Sequence, residues 1–440
     1  MAERTPKRWW RITRVCLRGI RVGILLVALV LLLITWWLNT VGLPAFLKRP
    51  LIAQLHAQGL DLQFSRLRWR WKRGIVAEDV RVGAAQSETN NPQLSIKEAE
   101  LRVNHHALSR FKLQVDSLLV HDGRLFWPLD EPDQPPASLL MTNIQTQFRF
   151  LPGDQWELDH FSADFAGAKL QLAGSLTNAL ALRDWKLFHG GRKAQPELLR
   201  ARLRALALAV DRIKFVQPPE LNVVINADAR DVRTFNGRLT LDAKGAVTPW
   251  GALTNGTLLV WLTPPAGTNN LPHVKFQLHT DEMNFTVHPT PAQTLAGGTK
   301  HFELDLDASG DEEITNLVRA RLEISAGQFS LPWGQAANAH FTARWTHSLT
   351  NAIPLAGTGE LRLTNAQSKW GTAGQLRLIA SMGLPVTSHP PQTNAGWGWW
   401  ASLAPYFLDW NGRVENIRAN GFESKEVLCG GTWRAPVLTI

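Results

Sequence analysis

The sequence predicts an all-β fold, dominated by antiparallel sheet, behind one N-terminal transmembrane helix. Three observations predict it: an uncharged apolar stretch flanked by arginines, a long succession of segments in which apolar and charged residues alternate, and Trp-Gly corners between those segments. Alternation with a period of two gives each strand one dry and one wet face, the pattern of antiparallel sheet solvated on one side.

The helix comes first. Val22 to Leu38 (VGILLVALVLLLITWWL) carries no charge, and 17 residues at ~1.5 Å each make about 25 Å, the short end of a membrane span. Trp9, Trp10, Trp36 and Trp37 bracket it, as suits the membrane–water interface. Residues 1–21 hold seven basic side chains, ending with Arg18 and Arg21, against Glu3 alone. By the positive-inside rule this segment stays cytoplasmic and everything beyond about residue 40 crosses. The stretch Leu38–Gly42 is a poor cleavage site, so the helix is read as a retained anchor, not a signal peptide. Most of the formal charge of +10 belongs to this flank. It is therefore no argument for nucleic-acid binding. Cys16 and Cys429 are the only cysteines; on this topology they lie on opposite sides of the membrane and cannot pair.

Residues 39–59 read as a short amphipathic helical linker, with Pro44–Gln58 interrupted by Pro50 and closed by Gly59. From Leu60 the period changes to two. Leu60–Trp71 and Ile75–Val82 flank Lys72-Arg73-Gly74, a hairpin signal. The same alternation recurs through residues 60–440. Leu113 and Val115 alternate with Gln114 and Asp116, and Leu170 and Leu172 with Lys169 and Gln171. Leu239 and Leu241 alternate with Thr240 and Asp242; Phe302, Leu304 and Leu306 with Glu303, Asp305 and Asp307. Leu361 with Leu363, and Leu376 with Leu378, continue the series.

Three corners resemble one another: Pro249-Trp250-Gly251, Pro332-Trp333-Gly334 and Lys369-Trp370-Gly371, 83 and 37 residues apart. In each, Gly permits the bend and Trp can cover the pleat, which suggests repeated hairpin units without a strict period. Gly/Pro/Asn clusters near 128–137, 264–272, 289–299 and 384–396 read as loops between units. Two helices interrupt the pattern: Pro196–Ile213, and an aromatic helix at about 397–408 within Trp397–Trp410. Each packs on a sheet face in one reading; in the other it is a lid or a membrane-surface contact.

Catalytic and metal signatures are missing. No phosphate-binding loop, dinucleotide fingerprint, zinc-protease or nucleophile-elbow motif occurs. His105-His106 is the one adjacent histidine pair and has no ligand-spaced carboxylate or cysteine. Glu303, Asp305 and Asp307 form a row on one side of a strand, which reads as a solvated face, while Asp281-Glu282 and Asp311-Glu312-Glu313 sit in turn-like stretches without a base or nucleophile. The expectation is a non-enzyme without cofactor or metal. What remains is a physical puzzle: many one-sided strands generate an apolar face that must be kept from water. Two facing sheets would bury it as a sandwich. A single curved sheet would leave a trough, about 100 Å long for roughly 20 strands at ~4.8 Å, needing an apolar occupant. An acyl chain of 16 carbons, at ~0.8 kcal/mol per CH₂, needs roughly 12 kcal/mol of shielding to cross water, and a trough supplies that without catalytic residues.

The basic-flanked helix, Gly42-Leu43-Pro44, the run Leu60–Leu67 (LDLQFSRL) and Arg73–Gly83 (RGIVAEDVRVG) together resemble the amino end of AsmA-like and TamB-like envelope proteins. Residues 113–128 (LQVDSLLVHDGRLFWP) resemble their recurring strand-turn unit. The resemblance covers the anchor and about residues 40–180, and the rest through repeats. It implies an elongated, curved antiparallel β-sheet forming an apolar groove with a few short amphipathic helices. The function it implies is passive carriage of phospholipid from a bacterial inner membrane, single-pass with the bulk periplasmic, towards the outer membrane. The expected groove lining is the set of alternating residues above, from Leu113 to Leu378. A scaffold that templates outer-membrane β-proteins on exposed sheet edges is the alternative, and a polysaccharide-binding module fits poorly because the aromatics alternate inward. The final Trp433–Ile440 reads as a strand entered and not turned, which suggests a truncated chain or a groove left open for an envelope partner.

Overall fold

The fold is described from a computed structural model. It describes Leu29 and residues 62–70, 74–82, 93–104, 115–129, 137–184, 204–205, 207–208, 211–249, 251–265, 271–290, 293–310, 316–348, 351–383, 407–434 and 437–439. The anchor residues Trp9, Trp10, Arg18, Arg21, Trp36 and Trp37, the linker helix, His105-His106 and Leu113 lie outside them. No helix among the described residues is long and apolar enough to cross a membrane.

The chain forms two compact units, residues 1–150 and 151–440. In the first, β1 (Leu62–Gln63) and β2 (Arg66–Arg70) pair in turn with β3 (Gly74–Val82). The meander then continues through β4 (Gln93–Val103), β5 (Val115–Pro128) and β6 (Ser138–Leu151), every pair antiparallel. The expected strand Leu60–Trp71 is thus broken at Phe64-Ser65, where the Ser65 hydroxyl and backbone N–H both donate to the Glu78 carbonyl.

The second unit begins with the hairpin β7 (Gln155–Phe165) and β8 (Ala168–Thr177). Beyond β8 lie a 3₁₀ segment (Ala179–Asp184), helical residues within 204–211, and short β9 (Lys214–Phe215). The helix expected over 196–213 has therefore ended before Lys214. The next strand, β10 (Glu220–Asp228), pairs with β8 in parallel, a departure from the expected antiparallel sheet. Parallel neighbours need a crossover of a dozen residues or more, and this helical segment is that crossover.

From there the order is sequential: β11 (Asp231–Thr248), β12 (Gly251–Thr263), β13 (His273–Thr290), β14 (Gln293–Gly310), β15 (Leu317–Leu331), β16 (Gly334–Ser348), β17 (Asn351–Ser368), β18 (Gly371–Gly383), β19 (Phe407–Ala419), β20 (Phe422–Arg434) and β21 (Val437–Thr439). Each pairs antiparallel with the next, while β9 lies beside the end of β11.

Four expectations change. Residues 289–290 and 293–299 are no loop but belong to the two strands of the β13–β14 hairpin, and Asp281-Glu282 lie within β13. The aromatic helix cannot run to 408, because Phe407 and Leu408 open β19, where they pair with Gly383 and Met382. The chain does turn after Trp433-Arg434: β21 folds back and pairs Val437 with Arg434.

The three Trp-Gly corners are two-residue hairpin turns, with Thr248 opposite Gly251, Leu331 opposite Gly334 and Ser368 opposite Gly371. The glycine is fixed by a neighbouring strand. A Cβ at Gly251 would stand 1.9 Å from the carbonyl oxygen of Asn284, and one at Gly371 2.5 Å from that of Arg418. No side chain fits where the next strand's backbone passes so closely.

A candidate apolar groove

Antiparallel and parallel partners share a face of the sheet, so the register shows which side chains meet. Starting from Leu241, one row crosses the second unit in both directions. It runs Ala163, Leu170, Leu221, Leu241, Leu258, Leu278, Leu304, Ile324, Phe341, Leu361, Leu378, Gly412 and Cys429. Thirteen successive strand neighbours each contribute one residue, none charged. At ~4.8 Å per strand the row is roughly 60 Å long, measured along the sheet. Two residues away on the same face a parallel row runs Phe161, Leu172, Val223, Leu239, Val260, Phe276, Leu306, Leu322, Ala343, Gly359, Ala380, Trp410 and Gly431. On the other side Ala326, Ala339, Leu363, Leu376, Val414 and Val427 line up across β15–β20, and Phe302 lies opposite Thr280 at the same level.

The expected residues Leu170, Leu172, Leu239, Leu241, Leu304, Leu306, Leu361, Leu363, Leu376 and Leu378 thus share one face with Phe302. Val115 belongs to the first unit, where it keeps phase with Ser117 and Leu119 and not with the core residues Leu118 and Val120.

The face is not a sandwich core. From Leu221 to Leu378 every member of the central row is only half-buried. Leu170 apart, the buried hydrophobic residues described in the second unit are all alanines. The face is hollowed instead: a cavity of about 300 Å³ lies over β16–β18, walled by Phe341, Trp345, Leu361, Leu378 and Met382. A second, of about 410 Å³, lies nearer the Trp-Gly corners, between Phe329, Trp333, Leu363, Trp370, Leu376 and Val414.

The opposite face is polar in register with the apolar one. Asp242, Thr257, His279, Glu303, Ser325, His340, Arg362, Arg377 and Arg413 form one row. The carboxylates that the sequence placed on a solvated strand face are paired there: Lys275 with Asp305 at 3.4 Å, His273 with Asp307 at 2.7 Å and His279 with Glu303 at 3.4 Å. Glu360 accepts from Arg362 at 2.5 Å and from Arg377 at 2.6 Å, and these two guanidinium bonds draw its carboxyl down to about 2. His340, 3.0 Å away, likewise holds Glu323 below the usual carboxylate range. Among the described residues no cluster of three or more His, Cys, Asp or Glu could hold a metal ion.

A line of kinks edges the central rows. Asn255, His301, Gln328, Asn365 and Asn416 all have φ between 49 and 55°. Each sits on its strand just beyond the row marked by Phe302, Ala326, Leu363 and Val414, where the β14–β15 register slips and residues drop out of the other ladders. An extra left-handed residue bends its strand and increases the twist. Five at one level crease the sheet along a line, and the larger cavity opens at that crease.

Sequence reasoning missed Leu258, Leu278, Ile324 and Phe341. Leu258 hides in the unbroken apolar run Leu258–Leu262 and Phe341 stands among small or polar neighbours, whereas Phe276–Leu278 and Leu322–Ile324 alternate as plainly as Leu239–Leu241. Pairing, not local pattern, puts them in the row. No family model, curated protein or solved structure matches this chain.

Proposed function

We propose that the apolar face of the second unit is a groove that shields acyl chains, and that the protein is a passive conduit for phospholipid between the inner and outer membranes of a bacterial envelope. The observation that supports this reading most is the uncovered row from Leu221 to Leu378. A folded chain that leaves so many leucines half-exposed loses about 25 cal/mol for every Å² of apolar surface kept in water, and an apolar occupant recovers it. The continuity of the row matters as well. A lipid tail moving from strand to strand meets no charged side chain, so no step carries a desolvation barrier. The AsmA-like character of the amino end and the apolar stretch at 22–38 point the same way, with residue 1 cytoplasmic and the β-rich bulk periplasmic. The conduit needs no catalytic group, metal or cofactor.

The test uses the full chain in cells. A photo-crosslinking amino acid at Leu258 or Leu304 is expected to capture phospholipid, and one at Arg377 on the polar face is not. Leu241→Asp with Leu304→Asp places two charges in the groove and is expected to abolish lipid capture while the sheet signal in circular dichroism persists. Equal capture from both faces, or capture undiminished in the double variant, sinks the conduit.

A second reading rests on β20. Among the described residues its outer edge is paired only at Thr432–Arg434, by β21. An open edge can template a client strand, so a scaffold for outer-membrane β-proteins would give crosslinks from Glu426 or Leu428 to client protein and none from Leu304 to lipid.

A further inference from the structure

Counted from the central row, four hairpins of the second unit reach equally far towards one rim. Strand β11 ends seven residues past Leu241, β15 seven past Ile324, β17 seven past Leu361 and β19 seven past Gly412. Each then turns in two residues, and Trp333 and Trp370 hold the second turn position, as Trp250 does in the sequence. The indoles therefore recur at one level. They are also uncovered: Val216, Val247, Trp333, Trp370 and Phe422, all on this rim, are 50–72 % exposed.

One hairpin overshoots. Gly251 and Ser330 meet β13 and β14 at Phe285 and Gly298, yet that hairpin goes on pairing to Thr290 opposite Gln293. Five further residues project about 16 Å past the level of the tryptophans.

Charge separates this rim from the other. Met283–Thr299, which includes the whole projection, has no Asp, Glu, Lys or Arg; neither do Gly245–Thr254 and Gly327–Asn338. From β11 to β18 the segments from the crease outwards add the basic Lys244 and Lys369, the facing pair Glu282 and Lys300 4.0 Å apart, and Asp281, which accepts from Asn255 at the crease itself. The Lys369 ammonium lies 4.7 Å from the ring centre of Trp370. Strand β14 ends at Gly310 on the opposite rim, and the sequence that follows is Asp311-Glu312-Glu313.

We infer that this rim is a membrane-docking edge, lying along the surface of a lipid bilayer with the β13–β14 hairpin inserted among the headgroups. Tryptophan at a repeated level fits a plane, and the indole favours the membrane–water interface. A protein partner has no reason to demand a level line across so many strands. The headgroup layer is several ångströms deep, so a projection of about 16 Å crosses it, which requires an uncharged tip. Lys244 and Lys369 complement anionic headgroups. The inference does not use the groove's cargo, but it sets the apolar row along one bilayer and not from one membrane to another, so it stands as an alternative to the conduit's orientation.

The experiment reconstitutes the full chain, with Cys16 and Cys429 replaced by serine, in vesicles of phosphatidylcholine with a minority of phosphatidylglycerol. An environment-sensitive fluorophore is attached at Ala296→Cys, the first exposed position on the projection, or at Asn316→Cys on the opposite rim. Lipids spin-labelled near the headgroup are expected to quench the first several-fold more than the second. Lys244→Gln with Lys369→Gln is expected to lower that quenching, at about fivefold in docked population for each charge lost. Equal quenching at the two rims overturns the inference, as does quenching at Ala296→Cys that ignores both the lysines and the anionic lipid. A spin-labelled lipid held in the groove is read separately, at Leu304→Cys, so groove and rim stand or fall apart.

Discussion

Residues before Leu151 and residues after it use apolar side chains in opposite ways. The first unit buries Val80, Ile96 and Val120 together, packed with Phe64, Leu94 and Leu118. On the other face of the same strands it also buries Val76, Leu119 and the carboxylate of Glu100, to which the Arg102 guanidinium donates at 2.9 Å. Among its described residues the second unit has fifteen strands, and its large apolar side chains stay half-exposed along one face while, Leu170 apart, alanines fill its few buried apolar positions. The backbone does not explain the contrast, for both units carry the same crease: Asp79, Asp122 and Asn143 are left-handed at one level of the first, as Asn255 to Asn416 are in the second. What differs is covering. A sheet with both faces covered gains stability from its apolar residues; a sheet with one face bare holds them ready for something else.

Truncation should show this most strongly. Ile96→Ala in the first unit is expected to cost 2–5 kcal/mol, transfer plus cavity. Leu304→Ala, with no cavity to leave, is expected to cost about 1 kcal/mol. Hydrogen exchange resolved by segment measures both in one chain, and equal costs would erase the distinction between the units. The crease comes next. Asn365→Val forces a β-branched residue into left-handed backbone and is expected to cost about 1–2 kcal/mol, while Asn365→Gly is nearly neutral. The same pair at Asn143 should behave alike, since the device is shared; a harmless Asn365→Val would mean that the crease is not held by backbone conformation.

The smallest effect is on the polar face. The Glu360 carboxyl is drawn from 4.5 to about 2 by Arg362 and Arg377. A depressed carboxyl stabilises fully above its unfolded value and loses that contribution as pH falls through about 2. Glu360→Gln is therefore expected to lower stability near neutral pH by less than ~1 kcal/mol, because the pair is solvated, and the difference from the parent should vanish in an acid titration by about pH 2. A difference that persists there would assign the effect to packing.

How much of this was legible in the sequence depended on what kind of neighbour each residue has. Leu-x-Leu strands such as Leu239–Leu241 and Leu376–Leu378 declare their face by themselves, because their polar partners sit between them. The Trp-Gly corners were equally clear, although the reason for the glycine, the passing carbonyl of Asn284 or Arg418, belongs to a strand far along the chain. Phase was lost wherever a left-handed residue inserts into a strand. The Gly/Pro/Asn-rich stretch 289–299 looked like a loop for a related reason: its composition suits a hairpin tip, and only pairing shows how far the ladder continues. The parallel neighbours β8 and β10 left one trace, a helical period between two strands, which is the pattern of a crossover.

The equal reach of the hairpins has a consequence for how such a chain can change over generations. Because each pair of strands leaves and returns to the same rim, a whole hairpin can be duplicated or deleted without disturbing the alignment of those on either side. Length then changes in steps of about 10 Å. Loss of a single strand is another matter: every later turn would fall on the wrong rim and every leucine on the wrong face. The crossover between β8 and β10 is the joint that tolerates such a change, since it carries the chain back to its starting rim and restores the count. Relatives of different length are therefore expected to differ by paired strands downstream of β10, and by single ones only at that joint.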